Sequence, residues 1–114
     1  MKFIQTGNAS YINFDDVSYI GHEYNEKQNR YYSCIYLKNG KKFDFIEFVD
    51  YIELEGKEKF KLNCDHFIKL NYFALGYILD SKAPYIISIE KIEEEAYRRL
   101  DNIIGQEIKN KKDS

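Results

Sequence analysis

The sequence predicts an α+β fold: one domain spanning residues 1–114, with an antiparallel sheet of hairpins, a short middle helix, and a long C-terminal helix on one sheet face. Three observations carry it. An Asn39-Gly40 pair sits between two strand-like runs, the favoured signature of a tight hairpin. A stripe of apolar residues at helical spacing runs from Ile89 to Ile108. The 114 residues are 44% hydrophobic and 32% charged, enough apolar side chains for one core and too evenly charged for a disordered chain.

The first turn is expected at Thr6-Gly7-Asn8-Ala9, with Gly7-Asn8 as a two-residue loop. That register places Ile4 opposite Tyr11 and Phe3 opposite Ile12. Asp15-Asp16 reads as a second turn, because short carboxylates bond to nearby backbone, and Val17 to Ile20 as a third strand. Residues 21–30, GHEYNEKQNR, show no apolar period and read as a loop.

From Tyr31 to Phe45 a type I′ turn at Asn39-Gly40 sets Lys38 against Lys41, Tyr36 against Phe43 and Cys34 against Phe45. That face, with Cys34, Tyr36, Phe43 and Phe45, is the expected core side. Over 44–54 the period changes to that of a helix, with Phe45, Phe48, Val49 and Ile52 on one arc, Asp44 as N-cap and Gly56 as C-terminal stop. Tyr51 and Leu54 fall on its charged side. Residues 57–79 scatter their apolar side chains around a helical wheel, and Asn71 and Gly76 suit a helix interior poorly, so strands are expected. Residues 80–84 hold the only proline and read as a turn, followed by a strand at Tyr85-Ile86-Ile87.

The C-terminal helix is capped by Ser88 and carries Ile89, Ile92, Ala96, Leu100, Ile103, Ile104 and Ile108 on one stripe. Glu90, Glu93, Glu94 and Glu95 crowd its positive N-terminal end, and Glu94–Arg98 and Glu95–Arg99 are expected as i,i+4 pairs. Glu93 falls inside the apolar arc. Residues 110–114 are expected to fray.

Charge and composition narrow the function classes. With 17 basic and 19 acidic residues the formal charge is −2, which argues against a general duplex nucleic-acid binder. No apolar run approaches a membrane span and no secretory leader pattern is present, so a cytoplasmic protein without membrane association is expected. Two cysteines allow one bridge at most, unlike a secreted disulfide framework.

His22, Cys34, Cys64 and His66 are zinc-ligand types, but their spacing lacks the two close pairs of a structural site, so no metal ligand is assigned. A Cys64/His66 nucleophile–base pair lacks a third partner on the same strand face and an oxyanion-binding loop, and is read as a buried cysteine beside a surface histidine. Phosphate-loop, dinucleotide and metalloprotease motifs are absent, so neither catalytic residues nor cofactors are expected. The 19 aromatics exceed what a small core accommodates, which pushes tyrosines to the surface, where they favour interfaces. Tyr24, Tyr31, Tyr51 and Tyr97 are the candidate binding residues.

The opening pattern, Phe3-Ile4, the Gly7-Asn8 turn, Tyr11-Ile12-Asn13-Phe14-Asp15-Asp16-Val17, Ile20, Ile35-Tyr36-Leu37 and Asn39-Gly40-Lys41, resembles small β-meander proteins of phages and mobile elements. Ile, Lys, Tyr, Asn and Phe make up 57 of the 114 residues, the usage of AT-rich coding sequence. Size and mild acidity are similar to those of anti-CRISPR and other counter-defence proteins. The resemblance covers about the first 45 residues and transfers no catalytic motif. It implies a non-enzymatic inhibitor that occupies a host protein, such as a defence nuclease or its complex. The alternatives are a small-ligand or nucleotide binder with a pocket between sheet and helix, and a protein contacting single-stranded RNA. A homodimer through the C-terminal isoleucine stripe is also expected if that stripe exceeds what the sheet covers.

Overall fold

The computed structural model describes residues 2–6, 10–28, 30–49, 51–53, 59–80 and 82–112. It has α+β architecture, with strands β1 (Phe3–Gln5), β2 (Tyr11–Asn13), β3 (Val17–Asn25), β4 (Arg30–Leu37), β5 (Lys42–Glu47), β6 (Tyr51–Glu53) and β7 (Lys59–Lys61), helix α1 (Cys64–Leu79), strand β8 (Ile86–Ser88) and helix α2 (Ile89–Lys112). The strands form a β2-β1-β8 sheet, a β3-β4-β5 sheet and a β6-β7 ribbon. One buried cluster joins Ile4, Ile12 and Ile87 of the first sheet to Ile35, Ile46 and Phe48 around the second, and to the inner faces of both helices. The dimensions, 49 × 37 × 22 Å, are those of an elongated slab, and the 24 residues of α2 alone account for about 36 Å of it.

The first hairpin is shifted by one residue from the expected register. Ile4 pairs with Ile12 and Phe3 with Asn13, and the Thr6 amide donates to the Ser10 carbonyl at 2.8 Å. The Gly7-Asn8 turn itself lies outside the described residues. The shift places two isoleucines side by side on the core face, where a third, Ile87, joins from β8. That last pairing is parallel, so the first sheet is mixed rather than antiparallel. Asp15-Asp16 forms a single 3-10 turn with Asn13 as its cap, as its short polar side chains suggest.

The polar stretch read as a loop is instead the far half of a long hairpin, with β3 running to Asn25 and β4 starting at Arg30. No apolar period marks it because both faces of the extension meet water: His22, Tyr24 and Asn25 are all exposed. At the next turn the loop has three residues. The Gly40 amide donates to the Leu37 carbonyl, Gly40 has φ +89°, and the Leu37 amide donates to the Lys41 carbonyl. This is a type I turn closed by a left-handed residue, a conformation glycine adopts at little cost. Ile35 therefore pairs with Phe43 and Cys34 with Asp44. One residue of shift turns Tyr36 away from the core and Ile35 into it.

The expected helix over 44–54 does not form. Lys42–Glu47 is strand β5 and Tyr51–Glu53 strand β6. A bulge sets Cys34 against Asp44 and Ser33 against Ile46, leaving one extra residue on β5, so Phe43 and Ile46 share the core side. That irregular step imitates a helical period. Gly56 and Leu54 lie outside the described residues. The middle helix is α1, in the segment expected to be strands. Asn63 caps it: its side chain accepts from the His66 amide at 3.1 Å, and His66 Nδ1 accepts from the Asn63 amide at 3.0 Å. At the other end the Lys2 ammonium donates to the carbonyls of Ile78 and Asp80, a cation at the negative helix terminus.

The two residues that argued against a helix are both accommodated. Asn71 accepts a hydrogen bond from Ser33 of β4, and exposed Gly76 leaves room for Arg99, whose guanidinium lies 3.3 Å from where a Cβ would stand. Helix α2 follows expectation, with Ile92, Ala96, Leu100 and Ile104 fully buried and Ser88 accepting from the Lys91 amide. It continues to Lys112, beyond the expected fraying point at residue 110. Glu95 pairs with Arg98 and Lys91, rather than with Arg99.

Candidate functional site

The three-residue turn decides which side chains face water on the β3-β4-β5 sheet. Tyr19, Gly21, Glu23 and Asn25 of β3 lie beside Tyr36, Cys34, Tyr32 and Arg30 of β4, and Lys42, Asp44 and Glu47 complete the same face on β5. The opposite face meets α1 through Tyr31 and Phe67, whose ring centroids are 4.8 Å apart, and through the Ser33–Asn71 hydrogen bond. The outer face is thus free of the core while its backbone is held by two ladders.

Its side chains are linked to one another. Tyr19 and Tyr36 stack at 4.3 Å between centroids with an interplanar angle of 8°. The Tyr36 hydroxyl and the Lys42 ammonium both donate to Glu23, and Lys42 lies 3.8 Å from Asp44. Arg30 pairs with Glu47, and Tyr32 donates to Gln28. Lys42 and Tyr36 together hold the Glu23 carboxyl below its usual range, while Glu23 raises both Lys42 and Tyr36 above theirs. At neutral pH the face therefore presents an ammonium between two carboxylates and a tyrosine that remains a donor. Cys34 sits beneath, fully buried, its thiol 3.3 Å from Asp44. Burial, reinforced by the Asp44 carboxylate, pushes that thiol up to about 12, so thiolate chemistry is closed to it.

Two open grooves flank Tyr32. One of about 500 Å³ is bordered by Glu23, Tyr24, Glu26, Lys27, Lys42 and Asp44, the other of about 410 Å³ by Gln28, Arg30 and Glu47. Between sheet and helix the space is filled instead by stacked Phe48 and Phe67, 5.1 Å apart, with Ile35 and Leu70.

The four tyrosines singled out from sequence occupy different settings. Tyr24 is exposed, and its ring lies 4.8 Å from half-buried Tyr31, which also packs on Phe67. These two are brought together at the edge of the larger groove. Tyr51 is exposed on the β6-β7 ribbon, with the Lys59 ammonium 4.7 Å from its ring centre. Tyr97 is half-buried on α2, where its hydroxyl accepts from the Val49 amide at 3.1 Å and donates to the Glu47 carbonyl at 3.4 Å. Burial pushes it up to about 12. Tyr51 and Tyr97 both approach Val49, Tyr51 across a cleft that Arg30 and Phe48 also border and Tyr97 through its hydroxyl.

Tyr19, Tyr36 and their charged neighbours are not singled out by the sequence, because a two-residue turn assigns Tyr36 to the core. The alternation Tyr19-x-Gly21-x-Glu23 against Tyr32-x-Cys34-x-Tyr36 was the available signal.

The chemistry expected of the other singled-out residues also changes place. Cys64 is exposed and His66 buried, the reverse of the reading from sequence, because His66 is used in the helix cap and lies edge-on to Phe60. Among the described residues no three His, Cys, Asp or Glu side chains converge as a metal site would require, and no helix is long and apolar enough to cross a membrane. Comparison of the chain with protein-family models, curated proteins and solved structures gives no match.

Proposed function

We propose that the protein is a non-enzymatic protein-binding module, and that the outer face of β3-β4-β5 is its docking surface. The observation that carries the reading is the stacked Tyr19–Tyr36 pair set beside the Glu23–Lys42–Asp44 cluster on a rigid sheet. Exposed tyrosines are favoured anchors of protein interfaces. Rings already stacked and charges already paired lose little conformational freedom when a partner covers them. Tyr32, between the two grooves, extends the same surface. The resemblance of the first 45 residues to counter-defence proteins makes a host defence nuclease, or its complex, the first partner to test.

The experiment measures binding to purified host nuclease complexes and protection of their DNA substrate. Tyr19→Ala is expected to weaken binding at least about tenfold, in the range of an interface anchor. Its melting temperature should fall by no more than about 6 °C, the cost of losing the Tyr36 stack from a residue that is 55% exposed, with an unchanged circular dichroism spectrum. A Tyr85→Ala control, also exposed but on the other sheet's side of the molecule, should bind normally. Undiminished binding by Tyr19→Ala and by Tyr32→Ala overturns the assignment of the surface.

A further inference from the structure

Helix α1 is apolar around most of its circumference, and this is why its sequence resists a helical reading. Such a helix is ordinarily enclosed on all sides. Here Phe67, Leu70, Ala74 and Ile78 face the core, yet Ile68, Tyr72 and Leu79 on the opposite side are 51%, 71% and 59% exposed. With half-buried Leu75 they follow a 4-3-4 spacing, the seam of a helix that packs on another helix. The apolar surface left open is on the order of 300–400 Å², as large as the largest patches monomers leave uncovered. The isoleucine stripe of α2, where a dimer was expected from sequence, is covered by α1 and the sheets.

We propose that a second copy of this chain covers the α1 stripe, the two α1 helices packing antiparallel about a two-fold axis between Phe73 and Ala74. The stripe is self-complementary under that operation. Ile68 meets Leu79 of the second copy, and the flat Tyr72 ring meets the branched end of Leu75. Every position of the seam is thus apolar against apolar. Charges match as well. Asp65, the only acid on α1, comes opposite exposed Lys82, just past the helix end, and the same pair forms again by symmetry. Antiparallel packing also sets each helix N-terminus against the other's C-terminus. The area is below that of a standard interface, so the dimer is a reversible one. Its face is separate from the outer β3-β4-β5 surface and does not depend on the function assigned there.

The test is sedimentation of the full chain from about 5 µM to about 500 µM, the range expected of an interface this small. The parent should pass from monomer to dimer, and Tyr72→Asp should remain monomeric throughout with an unchanged circular dichroism spectrum. Ile68→Lys provides a second disrupting variant. Asp65→Lys and Lys82→Asp should each weaken association about tenfold, and an equimolar mixture of the two should restore it, since both ion pairs re-form in the heterodimer. A parent chain that stays monomeric at the highest concentration overturns the proposal and leaves the stripe to a different protein or a lipid surface. A dimer that survives both Tyr72→Asp and Ile68→Lys, or a charge-swapped mixture that fails to recover, overturns it equally.

Discussion

Removing one partner of the Ser33–Asn71 hydrogen bond should have unequal costs depending on which partner is removed. Ser33 is fully buried on β4, and its hydroxyl donates to the Asn71 side chain across the sheet–helix junction. Asn71→Ala leaves that hydroxyl in the core without its acceptor, which costs about 1–3 kcal/mol. Alanine recovers roughly 0.6 kcal/mol in helix propensity, so a net loss of about 1–2 kcal/mol is expected, or roughly 4–8 °C in melting temperature at this chain length. Ser33→Ala should cost less, about 0.5–1 kcal/mol, because half-buried Asn71 can turn its amide toward water. In the Ser33→Ala background the orphaned hydroxyl no longer exists. There Asn71→Ala should become neutral or stabilising. Urea unfolding followed by circular dichroism gives the four free energies of the cycle, provided the denaturant slopes agree. An Asn71→Ala effect of the same sign and size in both backgrounds would refute the argument that α1 is tied to β4 by this bond.

Two further outcomes are expected. Ellman's reagent should label a single thiol rapidly in the native protein, Cys64, with Cys34 reacting only after unfolding; two fast thiols would contradict the burial of Cys34 beside Asp44. Glu93 is held above the usual carboxylate range by burial first and by Glu47 and Glu90 second, so its ionised form is disfavoured in the folded chain. A group raised in this way binds protons more tightly folded than unfolded, so stability falls as pH rises through its titration. Glu93→Gln should therefore stabilise the protein at pH 7, by no more than about 1 kcal/mol since the side chain keeps part of its water, and the gain should vanish below about pH 4. A gain that persists at low pH would assign the effect to packing instead.

The stability of α2 and its buried stripe were readable because twenty-four residues repeat one period, and a long amphipathic pattern has few alternative solutions. The α+β class followed from that stripe and from the Asn39-Gly40 turn. Registers were not readable in the same way. Both the β1-β2 and β4-β5 pairings differ from expectation by one residue, and in a sheet one residue exchanges the two faces. The candidate surface is a product of that exchange: Tyr36 reached the outer face only because the turn took three residues and put Gly40 at positive φ. Tyr24 is exposed, as its loop-like surroundings suggest, but on the helix-facing side of the sheet, whereas Tyr19 looks like an ordinary strand residue.

What the chain determines locally is where backbone can turn, where a helix can be capped, and how much apolar material must be hidden. Asn63, Ser88 and Gly40 do this with single side chains, or the lack of one, acting on neighbouring amides. Tertiary structure alone decided between helix and strand for residues 44–54 and 64–79. The first segment, able to mimic a helix, is drawn into strands by its partners, residues 44–47 by β4 and residues 51–53 by β7. The second, apolar on nearly every side, becomes helical because α2 and the sheets cover one half of it and Ser33 satisfies its one awkward amide. Long-range partners supply more free energy than local preference, which for most residues differs by less than about 1 kcal/mol.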